Sequence, residues 1–413
     1  MSPTAARHPL GQAPRTRAGL PERSIGWREA RQIAAGAGKP NGSETVDLSD
    51  ALGRMLALDL HARIDVPHYA SAAMDGWAVR GPAPWRVIDP WHLADAGLEP
   101  GLAVPIVTGA LVPRGADAVL RSESAEVEGA PPMLRLGAHA RAGEPFENQH
   151  IRPAGEEARR GDTIIRAGAR LNPAHIAVAA LSGHDVLDVV RRPTVRFVFT
   201  GDEVDEHGSP PPGRVRDIFA PQLPGLLSHV GARVLGHQRA HDTLSSTVTA
   251  LESSLRDAQL VITTGGTGHS SADHVRDALH ELGATLLFDG IAMRPGGPTI
   301  LARAKNRSLI ACLPGNPLAA MAGLFTVAVP IVRVLGGADV DPLVSVVADS
   351  HLEGRAATTL LVPYALVDGR AVPSARRGSA MMRGLAEADG LLEVPETGVT
   401  AGAAAWAVSL PWL

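Results

Sequence analysis

Leu260-Val-Ile-Thr-Thr-Gly265-Gly-Thr-Gly-His-Ser270 decides how the rest of the chain is read. Five apolar or β-branched residues make a strand suited to burial on both faces, and the glycine run after them stops it. Residues 273–282 then show helical spacing and close at Gly283, so the order is strand, loop, helix. Strands buried on both faces belong to parallel sheets covered by helices, and ligands settle at the carboxyl ends of such strands. Glycines there let backbone N–H groups approach an anion, and the following helix terminus adds a positive dipole, which points to a phosphate-bearing ligand. A tight turn without a ligand explains one such loop equally well. A second loop, Leu313-Pro-Gly-Asn-Pro317, follows the strand ending at Cys312 and opens another helix, so two glycine loops are placed to face one crevice.

Outward from that segment the alternation continues. Residues 195–200 read as a strand, Leu223–Val230 as a helix ended by Gly231, residues 247–257 as a helix, 284–288 and 309–312 as strands, and 317–335 as a long helix. This pattern predicts an α/β multidomain protein built on a three-layer parallel-sheet domain at 193–337. Toward the N-terminus, short helices at about 24–33 and at 48–60 (LSDALGRMLALDL), with a capped helix at 172–183, predict a helical and extended scaffold domain formed by 24–63 and 150–192. Short β-rich runs at 77–79, 103–107, 118–120 and 133–136 predict a β-rich insertion domain at 64–149, and 338–413 reads as a separable C-terminal β-domain. Residues 1–23, with four arginines among prolines, read as a disordered tail.

The 413 residues carry 39 Lys+Arg against 43 Asp+Glu, a net charge of −4, which lacks the basic excess of a protein built around nucleic acid. Only Lys39 and Lys305 are lysines. The sole cysteine, Cys312, excludes a disulfide framework and a multi-cysteine zinc or iron–sulfur site. No apolar run approaches the ~20 residues of a spanning helix and no signal peptide opens the chain, so a cytoplasmic protein without a membrane partner is expected.

Acidic residues gather at the predicted strand ends: Glu203 in Thr200-Gly-Asp-Glu203, Asp242 beyond the strand near Val234, and Asp273 after the glycine loop. Carboxylates in that arrangement suit a hard divalent cation such as Mg²⁺, although any one of them alone also reads as a turn or helix cap. No HExxH, nucleophile elbow or metal-spaced histidine pair is present. Asp75-Gly76 taken alone is a hairpin turn.

Six segments together resemble, in order, the motifs of the MoeA/gephyrin E-domain family. They are Ser71-Ala-Ala-Met-Asp-Gly-Trp-Ala-Val-Arg80, Thr108-Gly-Ala-Leu-Val-Pro-Arg-Gly-Ala-Asp-Ala-Val119, Ile151-Arg-Pro-Ala-Gly-Glu-Glu157, Thr200-Gly-Asp-Glu203, the Gly265-Gly266 loop and Leu313-Pro-Gly-Asn-Pro317. The resemblance implies a molybdopterin molybdenumtransferase, which uses adenylylated molybdopterin (molybdopterin-AMP), molybdate and Mg²⁺ and releases AMP. It further implies a MogA-like sheet domain and a homodimer whose cleft combines the sheet domain of one subunit with the β-insertion of the other. A molybdopterin adenylyltransferase is the protein partner that follows. Carried over residue by residue, it assigns Asp75, Glu203, Asp242 and Asp273 to catalysis, with Asp242 and Asp273 on the metal. It assigns Thr108, Arg152, Gly265, Gly266, Thr267, Arg294, Pro314, Gly315, Asn316 and Ser379 to ligand binding. Where the family pattern carries lysines, this chain has Gly290, Arg294 and Gly297. Glu157 replaces an aspartate, Phe219 an asparagine and Leu360 an arginine. Two alternatives stay open on the residues alone: a related pterin-binding or scaffold protein with weak activity, and a molybdopterin adenylyltransferase sharing the Thr-Thr-Gly-Gly-Thr-Gly loop.

Overall fold

The computed structural model describes residues 24–93, 97–268 and 273–412. The tail of residues 1–23 and the loop residues His269 and Ser270 lie outside them. The chain divides into two compact units, Met1–Gly42 with Arg191–Leu413, and Ser43–Val190.

The first unit is built on a six-stranded sheet. Its order is Arg233–Ala240, Thr194–Thr200, Leu260–Thr264, Leu309–Leu313, Ile300–Arg303 and Thr285–Asp289. The first four strands are parallel, as the alternation predicts. Ile300–Arg303 runs antiparallel to them, because the few residues between it and Leu309–Leu313 permit a hairpin but no crossover, and Thr285–Asp289, antiparallel to Ile300–Arg303, runs in the same direction as the first four. Every residue of Leu260–Thr264 and Leu309–Leu313 is buried. Successive side chains take opposite faces. Phe197, Ile262 and Leu313 join Leu223, Leu227 and Leu318 on one side, while Val198, Val261 and Ile310 join Leu251 and Leu279 on the other. At about 1.5–3 kcal/mol per fully buried large apolar side chain, these two layers hold the strand ends in place.

The helical stretch 317–335 is continuous but not uniform: Pro317–Gly323 and Val329–Leu335 are α, and Leu324–Ala328 is a π turn. Pro330 lacks an N–H and its ring would press on the carbonyl of Thr326, and a widened turn relieves that clash. With 19 residues, a mean hydropathy of 2.1 and 89% burial it is a core helix. It also corrects the expectation that no apolar run nears spanning length. The Trp27 Nε1–H donates to Thr326 Oγ1 at 3.0 Å in this core. Helix Trp27–Gly36 therefore packs into the core of the first unit.

The C-terminal β-rich stretch has a cluster of its own around Val362, Leu392 and Ala407 and is joined by strands from elsewhere in the first unit. Its strands form a sheet in the order Ile25–Gly26, Ile291–Arg294, Thr359–Val367, Arg370–Pro373, Val344–Ala348, Ala404–Ser409 and Gly390–Val394, and the last pairs back onto Thr359–Val367. The first two strands come from outside residues 338–413, and Leu361, Leu391 and Leu410 sit in the cluster that holds the large sheet.

In the second unit Ala118–Arg121, Gly76–Val79, Leu102–Ile106, Trp85–Val87, Met133–Leu136 and Ala125–Glu128 make a six-stranded sheet, while Ser43–Asp47 pairs with Val186–Val190. Helix Pro173–Leu181 is capped by Asn172, whose Oδ1 accepts from His175 N at 2.8 Å. The helix expected at 48–60 is a single turn, Leu48–Ala51. Gly53 at φ 75° ends it, and Met55 and Leu56 then bridge to Arg170 and Val189.

Candidate functional site

The carboxyl ends of the parallel strands open onto a cavity of ≈ 680 Å³ whose lining includes Glu203, Asp242, Asp273 and both glycine loops. The loops are tied together by their backbones. Gly265 N–H donates to Leu313 O at 3.0 Å, and a methyl placed on Gly315 would lie 3.5 Å from Gly265 Cα. Glycine is required at two positions. Gly265 has φ 88° and a Cβ there would stand 2.5 Å from Thr200 Oγ1; Gly266 has φ 64° and its Cβ would stand 2.9 Å from Val275 Cγ2. Thr200 Oγ1 is held there by donating to Thr264 O at 2.9 Å. Asp273 lies against the same loop, since a Cβ on Gly268 would meet its Oδ2 at 2.7 Å.

Asp242 is a turn-holding carboxylate as well as a cavity residue. Its Oδ1 accepts from Gly201 N at 3.0 Å and its Oδ2 from Asp202 N at 2.9 Å. Each oxygen keeps a further lone pair. The neighbouring Asp202 carboxylate sits below its ordinary pKa because His241 Nδ1 bonds to it at 2.9 Å. Among the described residues no three His, Cys, Asp or Glu side chains gather around a point that would hold a metal ion by themselves.

Two arginines that the sequence reading passed over organise this cavity. Arg276 Nη1 donates to Thr267 O at 2.8 Å and Gly268 O at 2.7 Å, while its fork pairs with Asp289 at 2.8–3.1 Å. The available signal was an arginine in the first turn after a glycine loop, with an aspartate closing the next strand. Arg239 lines the cavity, pairs with Glu206 and the buried Asp217, and lies 6.0 Å above the Phe199 ring. Asp217 in turn accepts from Phe219 N and Ala220 N, so Phe219 contributes its backbone.

Arg294 and Ser379 line a different cavity of the same unit, ≈ 730 Å³ in volume. The main chain links it to the first: Ser379 O accepts from Leu318 N at 2.8 Å and Ala319 N at 3.2 Å, the opening amides of the helix after the second glycine loop. This cavity also carries Arg355 and Arg377, so three guanidiniums stand where the motif comparison had left one cation. Gly290 has φ 90°, a backbone suited to glycine rather than lysine.

The remaining assigned residues lie in the second unit. Asp75 Oδ1 accepts from Thr108 N at 2.6 Å and from Thr108 Oγ1 at 2.7 Å, and these bonds hold the exposed Asp75 carboxyl below its ordinary pKa. Asp75 and Thr108 are thus brought together. Arg152 sits on the short strand Ile151–Arg152, paired with Ser71–Ala72.

Residues 25–183 match the MoeA N-terminal region (domain I and II), and residues 196–334 match a probable molybdopterin binding domain. Curated relatives include a molybdopterin molybdenumtransferase of Staphylococcus epidermidis, 31% identical over 308 residues that cover 71% of each chain. Another is that of Bacillus subtilis, 32% identical over 313 residues with the same coverage. A crystal structure of a molybdopterin biosynthesis MoeA protein from Pyrococcus horikoshii superposes with a TM-score of 0.78 at 25% identity, covering 94% of this chain and 99% of its own.

Proposed function

The chain belongs to the molybdopterin molybdenumtransferase family, and from that premise we propose that it is an enzyme of molybdenum cofactor biosynthesis. In this reading it takes adenylylated molybdopterin and molybdate, inserts the metal into the dithiolene and releases AMP. The observation that carries it is the convergence of two glycine loops with Glu203, Asp242 and Asp273 in one cavity. The adenylyltransferase alternative accounts for the sheet domain only, whereas the match over residues 25–183 lies outside it.

The glycine loops suit a phosphate, because residues without Cβ atoms admit an oxyanion to backbone N–H groups. Arg276 fixes the loop by holding two of its carbonyls. Asp242 fixes the facing turn through Gly201 N and Asp202 N. Mg²⁺ is usually held by one or two carboxylates and completed by substrate phosphates and water. The donor set fits that mode: Asp242 and Asp273 supply carboxylate oxygens on the same cavity and would hold the ion. When bound, it would offset the negative charge that develops as the adenylate is cleaved. Arg294, Arg355, Arg377 and Ser379, against the single carboxylate Glu353, line a cavity with an excess of positive charge that suits an oxyanion such as molybdate. Asp75, kept ionised by Thr108, is assigned as a positioned carboxylate. A homodimer, a cytoplasmic setting and a molybdopterin adenylyltransferase partner belong to the same reading through the family resemblance.

The test is incubation of the purified protein with adenylylated molybdopterin, molybdate and Mg²⁺. AMP release together with formation of molybdenum cofactor is expected. Tight binding of the pterin nucleotide without AMP release would instead identify a binding or scaffold protein.

A further inference from the structure

At the opposite edge of the large sheet the first unit has another concavity, ≈ 450 Å³, whose lining includes Lys39, Arg303 and Arg307 and neither Asp nor Glu. Leu309 lines it at the start of the strand whose other end, Leu313, leads into the second glycine loop. At about 3.3 Å per residue the two sites stand roughly 13 Å or more apart along that strand. Gln259, Asn306 and Ser308 add polar atoms, and Leu335 forms an apolar wall.

Arg303 is fixed by a hydrogen bond, while Lys39 and Arg307 are exposed on the rim. Arg303 Nη2 donates to Ala37 O at 2.7 Å, which fixes one edge of its guanidinium fork over the turn that follows helix Trp27–Gly36. Lys39 reaches the cavity from that turn. Gly38 lets the turn approach the core, since a Cβ there would stand 2.6 Å from Leu335 Cδ2. Arg307 projects from the hairpin between Ile300–Arg303 and Leu309–Leu313, closed by Arg307 N to Ala304 O and Ala304 N to Ser308 O, both 2.9 Å. Its φ is 73°, in the left-handed region where glycine is the default and a long side chain is disfavoured. The turn alone calls for glycine, and the chain places a guanidinium there instead.

Three like charges around one concavity repel each other until an anion neutralises them, and a planar guanidinium fork beside a compact ammonium matches a tetrahedral oxyanion. We propose that Lys39, Arg303 and Arg307 form a binding site for a phosphate-class dianion, separate from the molybdopterin cavity. The ligand is either free inorganic phosphate or the phosphate of a small phosphomonoester.

Calorimetric titration of the full-length protein with inorganic phosphate and, separately, with glycerol 3-phosphate, at constant ionic strength, tests this. Hydrogen-exchange protection of residues 303–309 locates the site and separates it from phosphate held by the glycine loops. The expected result is saturable binding in the millimolar range or tighter that protects this hairpin. In the variant Lys39→Ala with Arg307→Gly, affinity at this site falls by about tenfold or more, while AMP release is unchanged. Because Arg307→Gly relieves the left-handed backbone, the melting temperature of that single variant holds or rises. Tighter binding of the monoester than of phosphate identifies a phosphorylated metabolite, and equal binding identifies the free ion. Unchanged affinity in the double variant, or phosphate binding that leaves residues 303–309 unprotected, overturns the proposal.

Discussion

Replacing Gly265 by alanine tests the construction of the glycine loop directly. Left-handed backbone costs a non-glycine residue about 1–2 kcal/mol, and Gly265 sits at φ 88°. The new methyl would stand 2.5 Å from Thr200 Oγ1, so Thr200 must rotate and give up its bond to Thr264 O, worth about 1 kcal/mol. The single variant should therefore lose about 2–3 kcal/mol of stability. Thr200→Ala alone should lose about 1 kcal/mol from the same hydrogen bond. In the double variant the clash is gone and the bond is counted once, so the total stays near 2–3 kcal/mol and falls short of the sum by about 1 kcal/mol. Urea denaturation followed by circular dichroism measures all three. A loop displaced by about 1 Å should also lower AMP release about a hundredfold in kcat/KM. Strict additivity of the two substitutions, or a Gly265→Ala protein with parental stability and turnover, would refute the reasoning.

Arg276→Ala should lower kcat/KM for AMP release by roughly tenfold to a hundredfold, because the glycine loop loses the two carbonyl bonds that position it, whereas Arg276→Lys should restore only part of it, lacking the fork that pairs with Asp289. Arg377→Ala combined with Arg294→Ala should raise the molybdate concentration needed for half-maximal turnover about tenfold or more while leaving pterin-nucleotide affinity, measured by calorimetry, within about twofold. In the second unit, burial pushes the Glu144 carboxyl up, but bonds from Arg141 N, Arg121 and Ser124 outweigh it and hold the pKa at about 2. A depressed folded pKa gives stability that is present above the ordinary carboxylate range and lost as pH falls toward 2, so the parental protein should lose up to roughly 3 kcal/mol over that window. Glu144→Gln should flatten that pH dependence in thermal unfolding, and an unaltered pH profile would contradict the assigned bonds. Thr108→Val should raise the Asp75 pKa toward its ordinary value, visible by carboxyl NMR titration.

Periodicity and punctuation made much of the sheet domain legible. Leu260–Thr264, Leu223–Val230 and the capped helix at Asn172 were readable because each is set by neighbouring residues: an apolar run, a glycine stop, an Asn-Pro start. Residues 48–60 were misread because their apolar spacing fits a helix as well as the bridges to Arg170 and Val189 that replace it. The reversed strand Ile300–Arg303 escaped because strand direction depends on connection length and pairing, which apolar content does not encode.

The sequence by itself determined the order of the motifs, the two glycine loops and the carboxylates at the strand ends, since these depend on residue type and spacing along the chain. Only the tertiary structure decided which of them share a cavity. It placed Arg294 and Ser379 with Arg355 and Arg377, apart from the glycine loops, and it seated helix Trp27–Gly36 in the core of the sheet unit. It also gave Arg276 and Arg239 their partners and gathered Lys39 with Arg303 and Arg307. The physical reason is that cavities and ion pairs form between residues up to hundreds of positions apart. Their contacts arise only when burial of the two apolar faces of the sheet has fixed where each strand ends.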